Sequence, residues 1–385
     1  MTTRTLARKL HLWLGITTGI VVSVIALSGC LYVFERELRD RLDPFRCVEP
    51  EAGTLLPPSA LRAIAERQLP GETASRVYYE GRQRAAYVQF GNIKTPYYKL
   101  AFLNPYDGRV LAMKDMNQDF LHVVFSLHYR LLLEPELGTT IVDCATLVFV
   151  FILISGLVNW WPRRWAVLAQ RLRIRWQTTW RRRNYDLHNV LGFYVLPLAL
   201  IFALTGLVWG FDWFNGAVRW LASGGWRGAL ASRPATLEMP SPTDSPSQNV
   251  DAAWQCITRA NPDAEATIVF FPSNSQRTLR FVVNPRRYTY YRTDHYDFDP
   301  HTLAAAPGRD SWGRYQDATA AGVVRRVNFD VHSGAILGLP GKILACLASL
   351  IVASLPVTGL LVWRGKGSSA AATETPRQFR PGTHA

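Results

Sequence analysis

The best candidates for a chemical role are four of the eight histidines, because each lies near the start of a long apolar run. An imidazole can bind a metal ion through a neutral nitrogen, or can take up and release a proton near neutral pH. Polar side chains in or beside membrane-spanning segments are costly, and they usually mark a functional site. The four are His11, His128, His188 and His332.

Several kinds of site compete for these imidazoles. A zinc site uses three or four ligands, and Asp186 and Asp330 lie nearby in sequence, but no cysteine accompanies the histidines. A proton relay would more often place its ionisable groups deeper in the membrane. A haem needs only two axial ligands, and histidine is a standard donor. A lone histidine at the membrane edge can also simply hydrogen-bond a lipid headgroup or a helix end.

We expect the histidines to act as two pairs of axial ligands to haem iron. The inner pair is His11 with His188, and the outer pair is His128 with His332. The predicted cofactor is haem b, two per chain. Nitrogen would then fill both axial positions of each iron, so the iron would pass electrons rather than bind a substrate.

Two glycines add to the inner pair. Gly15 and Gly192 each follow their histidine by four residues, and residues i and i+4 share one face of a helix. With no side chain there, a flat macrocycle can lie against the backbone. Close packing between membrane helices explains the same glycines equally well. Both are therefore candidate cofactor contacts, and the packing alternative stays open.

Other residues are weaker candidates. His122 precedes His128 by six residues, so the two do not share a helical face well, and His122 competes with His128 as an outer ligand. His295 and His301 fall in a polar segment, where surface positions are expected. Cys47 and Cys256 also lie in polar segments, and a disulfide between them is one expectation.

The pairing rests on an internal repeat. An offset of 177 residues aligns His11 with His188, Gly15 with Gly192, and an "LSG" in one apolar run with an "LTG" in the other. The alignment needs no gap across the run. The chain therefore reads as two related halves.

A second match within the same repeat supplies the outer pair. "FSLHYRLLLEPELG" resembles "FDVHSGAILGLPG", which aligns His128 with His332. Each half holds two apolar runs, so both halves have the same orientation in a membrane and are related by an axis along its normal. Such an axis brings equivalent histidines face to face.

Hydropathy indicates an α-helical membrane protein with four transmembrane helices. The mean hydropathy is close to zero, but four runs reach the roughly 20 residues that a bilayer core requires: 10–34, 139–161, 187–211 and 336–363. The corresponding division of the chain has transmembrane helices at 1–34, 138–161, 187–212 and 335–363, polar modules at 35–137 and 213–334, an Arg-rich loop at 162–186 and a tail at 364–385.

The net charge of +14 is concentrated at three places. Basic residues precede the first run, fill the loop 162–186 and follow the fourth run, and all three lie on one side if the runs alternate. This is the positive-inside pattern, so both termini are predicted to be cytoplasmic and both polar modules periplasmic, in a bacterial inner membrane. The pattern accounts for the charge without a nucleic-acid partner.

Both polar modules are predicted to be small α+β units. In 35–137 a short amphipathic helix, "SALRAIAERQLP", precedes four strand-like segments. In 213–334 the helix "VDAAWQCITRANP" precedes three. The first module also carries a histidine-bearing helix before the second transmembrane run.

Several segments resemble the PepSY-associated transmembrane proteins: "RKLHLWLG", "LHYRLLL", "SGLVNWWPRR", "LHNVLGFY", "VHSGAILGLPGK" and "TGLLVW". "YYKLAFLNPYDGRVLA" is similar to the closing strand pair of a PepSY module. Within that family the chain most resembles the inner-membrane ferric-siderophore reductases of the ferrioxamine type. The resemblance implies haem binding and the reduction of a ferric siderophore, of hydroxamate type, on the periplasmic side.

Two other functions stay open. One is a non-enzymatic membrane protein whose PepSY-like modules bind or regulate a periplasmic peptidase. The other is a quinol-linked b-type cytochrome with a different acceptor. No G-x-G-x-x-G loop follows a predicted strand, so we expect the electrons to come from outside the chain, from a quinol or a cytoplasmic reductase. Membrane lipid is the remaining expected partner.

Overall fold

The computed structural model describes residues 2–93, 95, 97–225, 237–273, 277–306 and 312–371. Within those ranges four helices are long and apolar enough to cross a membrane, as the hydropathy predicts. The four are α1 (Thr3–Tyr32), α5 (Pro135–Trp160), α7 (Trp180–Gly210) and α11 (Gly338–Ala371).

These four helices form a bundle in which α1 and α7 lie on opposite corners. Each of them contacts both α5 and α11. The buried centre is made of small and branched side chains, including Val22, Leu153, Val195 and Val352. Large apolar side chains such as Ile20 cover the outside of the bundle, which is the surface that lipid tails require, because they offer no hydrogen bonds.

In the described ranges, seven shorter α-helices surround the bundle and the sheet. They are α2 (Glu35–Leu42), α3 (Pro58–Gln68), α4 (Phe120–Arg130), α6 (Leu168–Arg171), α8 (Asp212–Ala222), α9 (Pro246–Ala260) and α10 (Ala320–His332). Two of them matter most for the site: α4 leads from the sheet into α5, and α10 leads into α11.

The two polar modules form a single antiparallel sheet of seven strands rather than two separate sheets. The first module supplies β1 (Ala74–Tyr79), β2 (Ala86–Gly91), β3 (Tyr98–Leu103) and β4 (Val110–Asp115), and the second supplies β5 (Ala266–Phe270), β6 (Leu279–Asn284) and β7 (Asp294–Phe298). The spatial order is β4-β3-β2-β1-β5-β6-β7. The two halves join where β1 pairs with β5, with Val77 opposite Val269. Both polar segments therefore lie on the same side of the bundle.

The two faces of the sheet have different partners, because successive side chains of a strand point to opposite faces. On one face, Val77 and Tyr79 of β1 pack in a core with α3 and α9, where the Tyr79 and Trp254 rings stack 5.1 Å apart. On the other face, Arg76 and Tyr78 line a cavity beside the outer ends of the membrane helices. The sheet thus holds one wall of a cavity above the bundle.

The expected disulfide is wrong. Cys47 and Cys256 are both free thiols. Cys47 lies beside Arg84 at an isolated β-bridge, where the guanidinium Nη1 donates to the sulfur at 3.3 Å. Cys256 is half-buried on α9.

Candidate functional site

The structure brings the four apolar-run histidines together in the two pairs that the repeat predicts. The ring centroids of His11 on α1 and His188 on α7 are 6.2 Å apart, with an angle of 76° between their planes. The rings of His128 on α4 and His332 on α10 are also 6.2 Å apart, at 62°. Each pair therefore joins one histidine from the first half of the chain with one from the second.

The inner pair is held by the two membrane helices that carry no histidine of the pair. The Nδ1 atom of His11 donates to the Ile152 carbonyl at 3.0 Å and approaches the Ser155 hydroxyl at 3.3 Å, both on α5. The Nδ1 atom of His188 donates to the Thr358 hydroxyl oxygen of α11 at 3.0 Å. Both rings are thus fixed by hydrogen bonds from neighbouring helices.

The outer pair is held in the same way by the opposite ends of α1 and α7. The Nδ1 atom of His128 donates to the Ile25 carbonyl at 2.8 Å. The Nδ1 atom of His332 donates to the Thr205 hydroxyl oxygen at 2.9 Å. Trp209 and Phe202 flank the His332 ring, with centroids 5.2 and 6.2 Å away.

These hydrogen bonds fix the tautomer of all four rings. A backbone carbonyl can only accept, so Nδ1 of His11 and His128 must carry the hydrogen. Thr205 and Thr358 donate their hydroxyl hydrogens to carbonyls of their own helices, so their oxygens accept from the imidazoles. In every neutral ring the lone pair that could bind a metal ion is then on Nε2. In metal-binding histidines, a hydrogen bond donated by the other ring nitrogen commonly fixes the orientation of the ring.

The residues present fit a haem held by two axial imidazoles. Two nitrogens bound to one metal ion at about 2.1 Å each place the imidazole centroids roughly 6 Å apart, and both pairs have a separation of 6.2 Å. Burial lowers the pKa of His128, and it lowers that of His332 to about 4, with the neighbouring histidine as the second cause. Both outer rings are therefore neutral and able to donate a lone pair.

A glycine beside each ring makes room for it. A Cβ atom on Gly29 would lie 2.8 Å from Cε1 of His128, and one on Gly206 would lie 3.6 Å from Cε1 of His332. In the inner pair, the distances are 3.0 Å from Gly156 to His11 and 3.1 Å from Gly359 to His188.

These four glycines share a sequence signal, of which the repeat alignment above used only the "LSG" and the "LTG". Each follows a serine or threonine, in "LSG", "ISG", "LTG" and "VTG", once in every membrane helix. Ser155, Thr205 and Thr358 face their rings through the hydroxyl, whereas in α1 the ring bonds the Ile25 carbonyl, three residues before Ser28. The glycine of each segment admits the ring edge. We call each such segment a cradle: residues 25–29, 152–156, 202–206 and 355–359.

The two glycines predicted as cofactor contacts lie elsewhere. A Cβ atom on Gly15 would meet nothing within 4 Å, and one on Gly192 would meet only the Leu355 side chain at 3.8 Å. Gly15 therefore borders open space, whereas Gly192 borders α11. Their contact with a cofactor stays a prediction.

A second motif accompanies the histidines of the second half. "NYDLH" ends at His188 and "NFDVH" ends at His332. Asn184 donates to the Thr358 carbonyl at 3.0 Å, and Asn328 donates to the Thr205 carbonyl at 3.1 Å. Each asparagine thus ties its helix to the cradle that its own histidine uses.

The aspartates of the same motif anchor the surrounding segments. Asp186 pairs with Arg175 and Arg182 of the Arg-rich region. Asp330 is fully buried and accepts from the backbone N–H groups of Tyr290 and Tyr291. Both aspartates therefore already have hydrogen-bond or ion-pair partners. Among the described residues, no group of three His, Cys, Asp or Glu side chains is close enough together to hold a metal ion.

The other histidines occupy different places. His122 is buried, and its Nε2 atom has no hydrogen-bond partner in the described part of the chain. Its ring contacts Tyr98 at 5.2 Å rather than the outer pair. The surface position expected for His295 is wrong, because this residue is buried on β7 and stacks on Trp312 at 4.9 Å, whereas His301 is exposed.

A cavity of about 330 Å³ lies between the sheet and the outer end of the bundle. Tyr32 at the end of α1, the helix α2 and the strands β1–β3 form its walls, and His122 and Phe125 of α4 reach it from the side. Phe125 precedes His128 by three residues on the same helix. The cavity therefore adjoins the element that carries one outer histidine.

Curated proteins offer no significant match to this sequence. A family model does match: the PepSY-associated transmembrane region aligns with residues 8–366, which include the first span from residue 8 onward, the other three spans, all four cradles and the whole sheet. The chain is a membrane protein that belongs to the family of PepSY-associated transmembrane-region proteins.

Proposed function

We propose that this protein is a dihaem oxidoreductase of the bacterial inner membrane that carries electrons outward to reduce ferric siderophores in the periplasm. The observation that carries the proposal is the presence of two opposed histidine pairs with one geometry. In both, the centroids are 6.2 Å apart and every Nδ1 is engaged by a neighbouring helix. A purely structural role for these histidines would not require each of them to face a second histidine, at both ends of the bundle.

The distribution of charge supports the orientation. The described Arg-rich segment between α5 and α7 lies at the opposite end of the bundle from the sheet, and basic loops favour the cytoplasmic side. The sheet and the cavity then face the periplasm. The inner pair lies on the cytoplasmic side and the outer pair beneath the sheet.

The chain's own residues have separable roles in this function. The four histidines would hold two b-type haems through Nε2, while the cradles fix the tautomer and orientation of each ring. When bound, each haem would supply one-electron transfer between its two iron oxidation states. Buried apolar side chains, among them Val22, Leu153, Val195 and Val352, fill the centre of the bundle.

The cavity lies within reach of the outer pair. His122, on its wall, precedes His128 by six residues, which is about 9 Å along α4. A ferric chelate in the cavity would accept one electron per iron(III) ion and yield iron(II), which oxygen-donor chelators bind far less strongly. A quinol or a separate cytoplasmic reductase would supply the electron.

The direct test is the haem content and the visible spectrum of the protein purified in detergent. We expect two b-type haems per chain with the bands of low-spin, six-coordinate iron. A protein that expresses and folds without haem would overturn the proposal and would favour a PepSY-module partner of a periplasmic peptidase.

A second measurement addresses the acceptor. The reduced protein is mixed under anaerobic conditions with a ferric siderophore, and iron(II) is trapped with a coloured iron(II) chelator. Reoxidation of the haem bands should match the iron(II) formed, one electron per iron. A dihaem protein that reduces no ferric chelate would instead be a cytochrome with another acceptor.

A further inference from the structure

In the described part of the chain, the cavity beneath the sheet is lined by four buried nitrogen atoms without hydrogen-bond partners: three guanidinium N–H donors and one imidazole nitrogen, which donates only in the tautomer that carries its hydrogen there. Among the described residues, Nη1 of Arg36, Nε of Arg76, Nε of Arg287 and Nε2 of His122 are buried and unpaired, and all four side chains line the cavity. A buried donor without an acceptor costs free energy. A bound ligand that supplies the missing acceptors would remove this cost.

The carboxylates on the cavity wall do not neutralise all of its arginines. Arg39 pairs with Asp119 at 2.7 Å and with Glu35. Arg287 pairs with Asp40 at 2.7 Å.

Arg46 is likewise engaged, by Asp43 at 3.3 Å and Glu80 at 3.7 Å. Three of the five arginines on the wall are therefore held in ion pairs.

The other two guanidinium groups have no carboxylate partner in the described part of the chain. Arg36 lies over the Tyr290 ring at 4.4 Å and donates to its hydroxyl. Arg76 lies over the Phe270 ring at 4.6 Å and donates to the Tyr78 hydroxyl at 3.2 Å. Both side chains are thus positioned by aromatic rings while no ion pair among the described residues compensates their charge, although the buried Asp330 interacts with Arg36 electrostatically. A guanidinium without an ion-pair partner is suited to anion recognition.

Aromatic surface completes the site. Tyr78 and Tyr87 stack at 4.2 Å, and the cavity volume of about 330 Å³ falls in the range of small-molecule sites. Flat rings beside uncompensated cations favour a ligand that combines planar groups with anionic oxygens.

We propose that this cavity binds an anionic iron chelate with oxygen donors, such as a catecholate complex, through Arg36, Arg76 and His122. This inference rests on the proposed function and specifies its substrate class. It departs from the hydroxamate expectation, since a hydroxamate complex that carries a free amine is a cation and would face the same two uncompensated arginines.

The test measures binding alone, with gallium(III) in place of iron(III), so that reduction cannot affect it. Two probes are titrated into the full-length protein in detergent by calorimetry: the trianionic gallium(III) complex of a tripodal tricatecholate, and the monocationic gallium(III) complex of a linear trihydroxamate amine. We expect the anion to bind at least about tenfold more tightly, and added salt to weaken its binding.

Variants locate the site. Arg36→Gln and Arg76→Gln should each weaken binding of the anionic probe about tenfold or more, because each removes a charged donor. His122→Gln should have a smaller effect, and Arg36→Lys should restore part of the affinity.

The matched control is Arg82→Gln. Like Arg36, Arg82 lies over a tyrosine ring, that of Tyr106 at 5.7 Å, but it donates to the Glu51 and Gly53 carbonyls and does not line the cavity. The Arg82→Gln variant should bind the anionic probe with the affinity of the parent protein. Thermal unfolding of each variant checks that the fold is intact.

The proposal is overturned if the cationic probe binds as tightly as the anionic one, or if the cavity variants bind like the control. Both outcomes are independent of haem content and of reduction. A protein without haem that still binds the anionic probe would refute the reductase and keep this site.

Discussion

The inner and outer histidine pairs have the same separation but are built on different supports. His11 and His188 belong to α1 and α7, which are themselves spans of the bundle. His128 and His332 belong to the short helices α4 and α10, which connect the sheet to the next span. Bundle packing alone therefore positions the inner pair, whereas the outer pair also depends on the sheet and adjoins its cavity.

The space around the rings differs in the same sense. The two inner cradles are equally tight, with glycine Cβ positions 3.0 and 3.1 Å from the rings. The outer cradles are unequal, at 2.8 Å for His128 and 3.6 Å for His332. The space around the rings is therefore symmetric at the inner site and asymmetric at the outer site.

The largest expected effect comes from removing an axial imidazole. His11→Ala or His188→Ala should lose the inner haem, and His128→Ala or His332→Ala the outer haem, which lowers the haem content from two to one per chain. Pyridine haemochrome assay against protein concentration measures the ratio. An unchanged ratio in all four variants would refute the assignment of ligands.

His122→Ala is the matched control for this series. It removes a buried imidazole from the same helix as His128, but its ring faces Tyr98. The haem content should stay at two. A loss of haem in this variant would make His122 an outer ligand in place of His128.

The next effect tests the unequal outer cradles. In Gly29→Ala the new methyl would approach the His128 ring to 2.8 Å, so the ring must move and weaken its bond to the Ile25 carbonyl. Gly206→Ala meets its ring at an ordinary contact distance of 3.6 Å. Redox titration of the haem bands should show a shifted or lost outer haem in the first variant only, and equal behaviour of the two would contradict the asymmetry.

A smaller effect concerns the asparagine links. Asn184→Ala should loosen the inner site and Asn328→Ala the outer site, since each removes one buried hydrogen bond to a cradle, at a cost of about 1 kcal/mol. Thermal unfolding in detergent, followed by the haem absorption, should show similar losses. A loss confined to one variant would show that the link matters at one site only.

The last effect is on the stability of the sheet and not on the haem content, and it separates the sheet, which supports the outer pair, from the bundle. Burial and the nearby cations Arg280 and Arg326 lower the pKa of His295 on β7 to about 3. Between about pH 6.5 and 3 the unfolded chain binds a proton that the folded sheet does not, so stability falls as the pH falls, by at most about 1.4 kcal/mol per pH unit. Unfolding followed by tryptophan fluorescence should show this slope, and His295→Gln should reduce it.

Much of the helical frame could be predicted from hydropathy, and the pairing of His11 with His188 from the repeat. The repeat aligns each histidine of the first half with one of the second half, and a two-fold axis along the membrane normal brings such equivalent positions close together. The cradles could not be found from the histidines, because Gly156 and Gly359 touch rings that lie far away in sequence. The recurrence of a hydroxyl residue before glycine in each span was the available signal.

The joined sheet lay beyond sequence reasoning for a different reason. Strand patterns of the two modules indicated where β1 and β5 begin and end, but their pairing spans about half the chain. Local alternation carries no information on which strand edges meet. The buried place of His295 depends on Trp312 and on the same sheet, so it too required the tertiary structure.

One consequence follows from the fact that α1 and α7 each carry a histidine of one pair and the cradle of the other. In both helices 18 residues separate the histidine from that cradle's glycine, Gly29 or Gly206, which is about 27 Å of helix rise. The distance along the helix between the histidine and the glycine is therefore the same in α1 and α7, and it is close to the thickness of a bilayer core, about 30 Å. Inserting one residue between the histidine and the glycine would rotate one about the helix axis by about 100° relative to the other, so the histidine and the cradle could no longer both face their partners.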